Sequence, residues 1–150
     1  MLFLIFILNH SLAFAVAPSV GDSAVYERTI KEKDKDVWSL YRSKELLSID
    51  TPKQEYLVRH GLDRGDGFSY RDEISNFVAE EYAIFDRCEE LQGQYVSVST
   101  KLGTLQACYR ITQTRNYRYE QWHSNIPFGL VRYHYVDSDI EFDHYIVSFD

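Results

Sequence analysis

Three histidines, His123, His134 and His144, fall on what read as three consecutive late strands. Antiparallel neighbours could bring three imidazoles together, the ligand set of a catalytic zinc site. Metal motifs also place ligands in local pairs, and none does so here. His134 stands between Tyr133 and Tyr135 and His144 follows Asp143, so these read as histidines of a β ladder, and no metal or cofactor is expected. Asp137, Asp139, Glu141 and Asp143 alternate and would project to one side of an extended chain, where four carboxylates suit calcium. An EF-hand loop would need glycine at its sixth position and a bidentate acid where Ser148 stands. An acidic hairpin tip that blunts a sheet edge explains them better. Arg64-Gly65-Asp66 matches the integrin tripeptide but lies in Asp-Arg-Gly-Asp-Gly, ordinary turn chemistry. There is no Gly-x-Ser-x-Gly, no His-Glu-x-x-His and no glycine-rich phosphate loop. Glu80-Glu81 and Glu89-Glu90 belong to a helical stretch, where a solvated face is the default. No catalytic residue is assigned.

Cys88 and Cys108 are the only cysteines. Their meaning depends on the first fifteen residues, MLFLIFILNHSLAFA. The apolar run 2–8 is too short to span a bilayer as a helix, and Ala13-Phe14-Ala15 is a small-x-small cleavage pattern. Residues 1–15 therefore read as a secretory signal peptide, although no Lys or Arg stands near Met1, and the protein is expected in the periplasm or outside the cell. The N-glycosylation pattern Asn9-His10-Ser11 falls inside this leader. In an oxidising compartment an even cysteine count reads as a disulfide. Closing a loop of twenty residues would stabilise the fold by roughly 3 kcal/mol in the chain-entropy picture. A redox or nucleophilic thiol is the alternative, but there is no Cys-x-x-Cys.

The elements that must carry these residues are mostly strands. Twelve Tyr and nine Phe against one Met favour pleated, half-buried surfaces over helices. Alternation or turn-bounded apolar runs predict strands at 23–31, 37–48, 54–60, 68–74, 95–100, 104–111, 117–124, 130–136 and 140–149. The charged run Lys31-Glu32-Lys33-Asp34-Lys35-Asp36 reads as a solvated hairpin loop, and Gly61 to Gly67 as a turn region. Between the fourth and fifth strands the period changes. Phe77, Val78, Glu81, Tyr82, Phe85, Cys88 and Leu91 recur at three- and four-residue spacing, which predicts one helix over 76–91 ended by Gly93. The 95–111 hairpin would bring Cys108 back to the end of that helix and to Cys88.

No linker or repeat divides residues 16–150, so they read as one β-rich domain. The short connections imply antiparallel neighbours. The expected fold is mainly β (α+β): a bent antiparallel sheet or half barrel of about nine strands wrapped on one helix, with a closed β-barrel or β-sandwich as the alternative. The leader carries no charge, so the mature chain keeps the net charge of −7. That argues against binding a phosphate backbone, hence no nucleic acid, and against an anionic membrane surface. No second long apolar run follows, so no transmembrane segment is expected.

The tail is unusually aromatic. Tyr117, Tyr119, Trp122, Tyr133, Tyr135 and Tyr145 could line an apolar groove, or could simply pack across strands. Trp122 with Pro127-Phe128-Gly129 suggests a rigid structural corner. The stretches Gly103-Thr104-Leu105-Gln106-Ala107-Cys108-Tyr109-Arg110, Tyr119-Glu120-Gln121-Trp122-His123-Ser124 and Ile126-Pro127-Phe128-Gly129-Leu130-Val131, with Cys88 before them, resemble a group of exported bacterial β-rich proteins of unassigned function. The resemblance implies a sheet half-wrapped around a helix, similar in outline to periplasmic lipoprotein-carrier half barrels, and supplies no catalytic residue. The expected function is non-enzymatic: an exported protein binding an apolar small molecule, a lipid or an envelope protein. A hydrolase assembled from distant residues, or an inhibitor or adaptor using an exposed sheet edge, is the alternative.

Overall fold

The computed structural model describes residues 16–150; the leader assigned to residues 1–15 lies outside them. The chain runs β1 (Ser23–Glu32), β2 (Trp38–Asp50), β3 (Glu55–Asp63), β4 (Ser69–Ser75), α1 (Val78–Ala83), β5 (Gln94–Thr100), β6 (Gly103–Gln113), β7 (Tyr117–His123), β8 (Leu130–Asp137) and β9 (Ile140–Phe149). All nine strands form one antiparallel sheet in the order β4-β3-β2-β1-β9-β8-β7-β6-β5. Each half is a meander of short hairpins, and the pairing of β1 with β9 joins the halves side by side. Among the described residues the outer sides of the edge strands, β4 and β5, have no partner strand, so the sheet is an open, bent one and not the closed barrel or the sandwich.

The bend has local causes. Register shifts interrupt the ladders at Val25/Tyr26, Leu46/Ser48 and Trp122/His123, and each extra residue sharpens the twist of its strand. The chain passes from one edge to the other through α1, which covers one end of the sheet. Val78 and Tyr82 of α1 join Ala24, Tyr26, Leu46, Val58, Val131 and Ile146 of the sheet in the main core. The β7–β8 loop completes it, because Ile126 and Phe128 point inward and Phe128 packs its ring on Tyr82 at 5.8 Å between centroids.

The helix predicted over 76–91 is shorter, Val78–Ala83, and continues as turns to Gln92. The apolar spacing is real, since Val78, Tyr82, Phe85 and Cys88 are all buried, but two links pull the second half out of helical register. The Phe85 carbonyl accepts from the Tyr95 hydroxyl at 2.8 Å, and Cys88 is joined to Cys108 of β6 with 5.5 Å between Cα atoms. Phe85 and the disulfide form a small second core.

Candidate functional site

Strand pairing places Leu40, Arg28, His144, Tyr133, Gln121 and Arg110 in one row across β2, β1, β9, β8, β7 and β6. The next row is Trp38, Ile30, Phe142, Tyr135, Tyr119 and Thr112. Directly paired residues share a face of a sheet, as do positions two apart along a strand. Both rows therefore lie on the face that α1 covers further along, where Tyr26, Leu46 and Val58 are buried.

The rings on this face form a continuous ladder. Tyr117 stacks on Tyr135 at 5.9 Å, Tyr135 on Phe142 at 4.9 Å, and Phe142 meets Tyr133 edge-on at 5.6 Å. Tyr119 meets Tyr133 edge-on at 5.6 Å. His144 is then sandwiched between Tyr133 and Tyr26, at 4.6 Å on either side. Offset and edge-on arrangements of this kind suit the aromatic quadrupole.

Arg28 sits at the centre of the ladder. Its Nε donates to His144 Nδ1 at 3.4 Å and its Nη2 donates to the Tyr133 hydroxyl. Its guanidinium lies over Tyr133 at 5.4 Å and over Phe142 at 5.3 Å, a cation–π geometry. No carboxylate pairs with Arg28 among the described residues. Burial pushes its pKa down, as does the nearby charge of Arg42, against the pull of the Tyr133 hydroxyl. Arg42 follows Arg28's partner Leu40 by two positions on β2, so the two cations share the face. Lys44 comes next and does have a partner, with both Glu81 oxygens at 3.0 Å. Burial, then Arg28, Arg42 and Lys44, hold the His144 imidazole neutral and lower its pKa to about 3.

Neither a family model nor a curated protein matches the chain. What the site does must come from its own geometry.

The residues expected to form one groove divide between the two faces. Tyr117, Tyr119, Tyr133 and Tyr135 come together in the ladder. Trp122 and Tyr145 belong to the opposite face, in the row Tyr109, Trp122, Arg132, Tyr145 and Glu27, because they stand at the other strand parity. That face holds a depression of about 270 Å³ lined by Val98, Lys101, Arg132, Asp143 and Tyr145 among others. Its charges satisfy one another: Arg132 with Asp143, and Lys101 with Glu27 at 3.0 Å. It therefore offers no unspent charge to a ligand.

Pro127, Phe128 and Gly129 lie in the β7–β8 loop, where Phe128 and Gly129 both have positive φ, +57° and +65°. The Ser124 amide donates to the Gly129 carbonyl at 2.7 Å, and the Ser124 hydroxyl donates to the Gln106 carbonyl at 2.6 Å. Trp122 packs against the main core that Ile126 and Phe128 complete, and its ring also meets Tyr109 at 5.0 Å under the Arg132 guanidinium.

His123 and His144 lie on the α1-covered face, whereas His134 pairs with Glu120 and Asp143 at the other parity. Among the described residues no group of three His, Cys, Asp or Glu could hold a metal. The tail carboxylates have protein partners. Asp137 accepts from the Asp139 and Ile140 amides at 2.8 Å and from the Tyr135 hydroxyl, and Asp143 binds Arg132. Among the described residues no helix is long and apolar enough to cross a membrane.

Arg28, Arg42 and Tyr26 were not singled out from sequence. One signal pointed to Arg28. In Ala24, Tyr26, Arg28, Ile30 the alternate positions of β1 are apolar except for Arg28, and the other three are buried. A charge at the inward parity of a strand needs a partner or a purpose.

Proposed function

We propose that this is an exported, non-enzymatic binding protein whose site is the aromatic ladder around Tyr133, and that its ligand has an apolar body. The ladder itself carries the reading. Tyr117, Tyr119, Tyr133, Tyr135 and Phe142 present half-buried to exposed rings on one continuous face, and rings that keep part of their surface in water gain most by covering it. Export rests on the leader and on the Cys88–Cys108 pair, which suits an oxidising compartment. The reading is non-enzymatic because the buried imidazoles lead to no nucleophile. His144 bonds Arg28 between two tyrosines, and neither ring nitrogen of His123 has a hydrogen-bond partner among the described residues. Partner binding through a sheet edge is less well supported. β4 is almost wholly exposed, but Arg71-Asp72-Glu73 at its centre charges the edge, a device that discourages strand addition.

The test is native mass spectrometry of protein exported into a bacterial periplasm and purified without reductant. Extra mass that organic solvent releases supports the reading. A protein that stays ligand-free even after incubation with a periplasmic lipid extract contradicts it.

A further inference from the structure

We infer that the ligand is an acid, an amphiphile whose carboxylate head is taken by Arg42 beside Arg28 while its apolar chain lies along the tyrosine ladder; this rests on the binding function proposed above. The argument starts from a mismatch. The chain carries a net charge of −7, yet the one face with an unbroken run of rings gathers Arg28, Arg42 and Lys44, and Arg110 at the far end of Arg28's row. Of these only Lys44 has an ion-pair partner among the described residues. The tail carboxylates that could have neutralised the others are spent on the opposite face and the β8–β9 turn, on Arg132, Lys31 and backbone amides. Cations without counter-charges, one of them half-buried, repel each other and favour an anionic guest.

The two guanidinium groups are not equivalent. Arg28 already spends Nε on His144 and Nη2 on the Tyr133 hydroxyl, which fixes its plane over the rings. Arg42 is exposed and makes no hydrogen bond or ion pair among the described residues, so its planar fork is free for the bidentate contact that a carboxylate matches. From that head the rows step outward through Tyr133 and Tyr119 to Phe142, Tyr135 and Tyr117. An alkyl chain anchored at Arg42 would therefore run over rings rather than into water.

The experiment titrates the protein with cis-parinaric acid and with its methyl ester at pH 7.5, then displaces the bound acid with palmitate, hexadecanol or hexadecyl phosphate. The acid is expected to bind at least tenfold more tightly than the ester, and palmitate to displace better than either competitor. Arg42→Met, an exposed change whose melting temperature is checked alongside, should weaken the acid and bring acid and ester within about twofold of each other. Equal binding of acid and ester to the wild-type protein overturns the acid assignment and leaves the apolar site standing. A preference that survives Arg42→Met overturns the role given to Arg42, and tighter displacement by hexadecyl phosphate overturns the carboxylate. If neither acid nor ester binds, the apolar-ligand function falls with the inference.

Discussion

Arg28 and His144 face each other across the β1–β9 pair, and the guanidinium Nε donates to the imidazole Nδ1 at 3.4 Å. That bond requires an acceptor, so the imidazole is neutral with its proton on Nε2. The arrangement holds together only while no proton reaches Nδ1, since a charged ring would lose the bond and confront Arg28, Arg42 and Lys44 at once.

Acid should therefore destabilise the fold before its carboxylates titrate. Burial first, then neighbouring cations, lowers His144 to about 3 and His123 to about 4. Between those values and about 6.5, the unfolded chain binds protons that the folded chain refuses. Stability is full above pH 6.5 and is lost as pH falls toward the folded values, by up to about 1.4 kcal/mol per pH unit for each histidine. Melting curves from pH 8 to pH 4 should show this decline. His123→Leu should remove part of the slope at little cost at pH 7, because its ring nitrogens have no partner to lose. A flat profile would contradict the assignment.

Gly129→Ala should be severely destabilising. A Cβ there would stand 2.6 Å from the Glu81 carbonyl oxygen, and φ is +65°. Either α1 moves off the β7–β8 loop or the loop lifts Phe128 from the core. We expect a loss of about 3 kcal/mol or more, read by chemical denaturation. Gly65→Ala, whose Cβ would meet nothing, is the control for positive φ alone.

Reducing the Cys88–Cys108 bond should cost roughly 3 kcal/mol. Gly93→Ala should act on the same joint, since its Cβ would approach the Cys108 and Cys88 sulfurs at 2.6 and 2.7 Å. Near-additive losses on combining reduction with Gly93→Ala would show that the two do not share a mechanism.

Trp122→Ala should destabilise by about 1–3 kcal/mol, below the figure for a fully buried tryptophan because Trp122 is half-buried. The ring carries the Arg132 guanidinium at 5.1 Å and packs on Tyr109. Trp122→Phe should recover most of the loss in thermal melts.

Much of this was legible in residue order. Alternation or turn-bounded apolar runs located all nine strands, but the turn expected over Gly61 to Gly67 begins only after Asp63, because Gly61, Leu62 and Asp63 still pair with β2 as part of β3. The helix ran short because apolar spacing records which side chains face inward and is blind to the Tyr95 hydroxyl claiming the Phe85 carbonyl. The groove residues split because tyrosine suits either side of a sheet. Tyr133 and Tyr145 become opposite only once the β8–β9 register is known, and a one-residue slip would exchange their faces. The pairing of β1 with β9 joins the first described strand to the last, and no local pattern announces it. Arg28 consequently meets His144 and Tyr133 more than a hundred residues away.

The most direct measurement compares the two faces with an uncharged probe, N-phenyl-1-naphthylamine, titrated into the wild-type protein, the Tyr119→Ala/Tyr135→Ala double variant and Tyr145→Ala. A ligand site on the ladder predicts saturable one-to-one binding that the double variant weakens at least tenfold and Tyr145→Ala leaves unchanged. Absence of saturable binding to the wild-type protein, or an equal loss in Tyr145→Ala, would contradict the account.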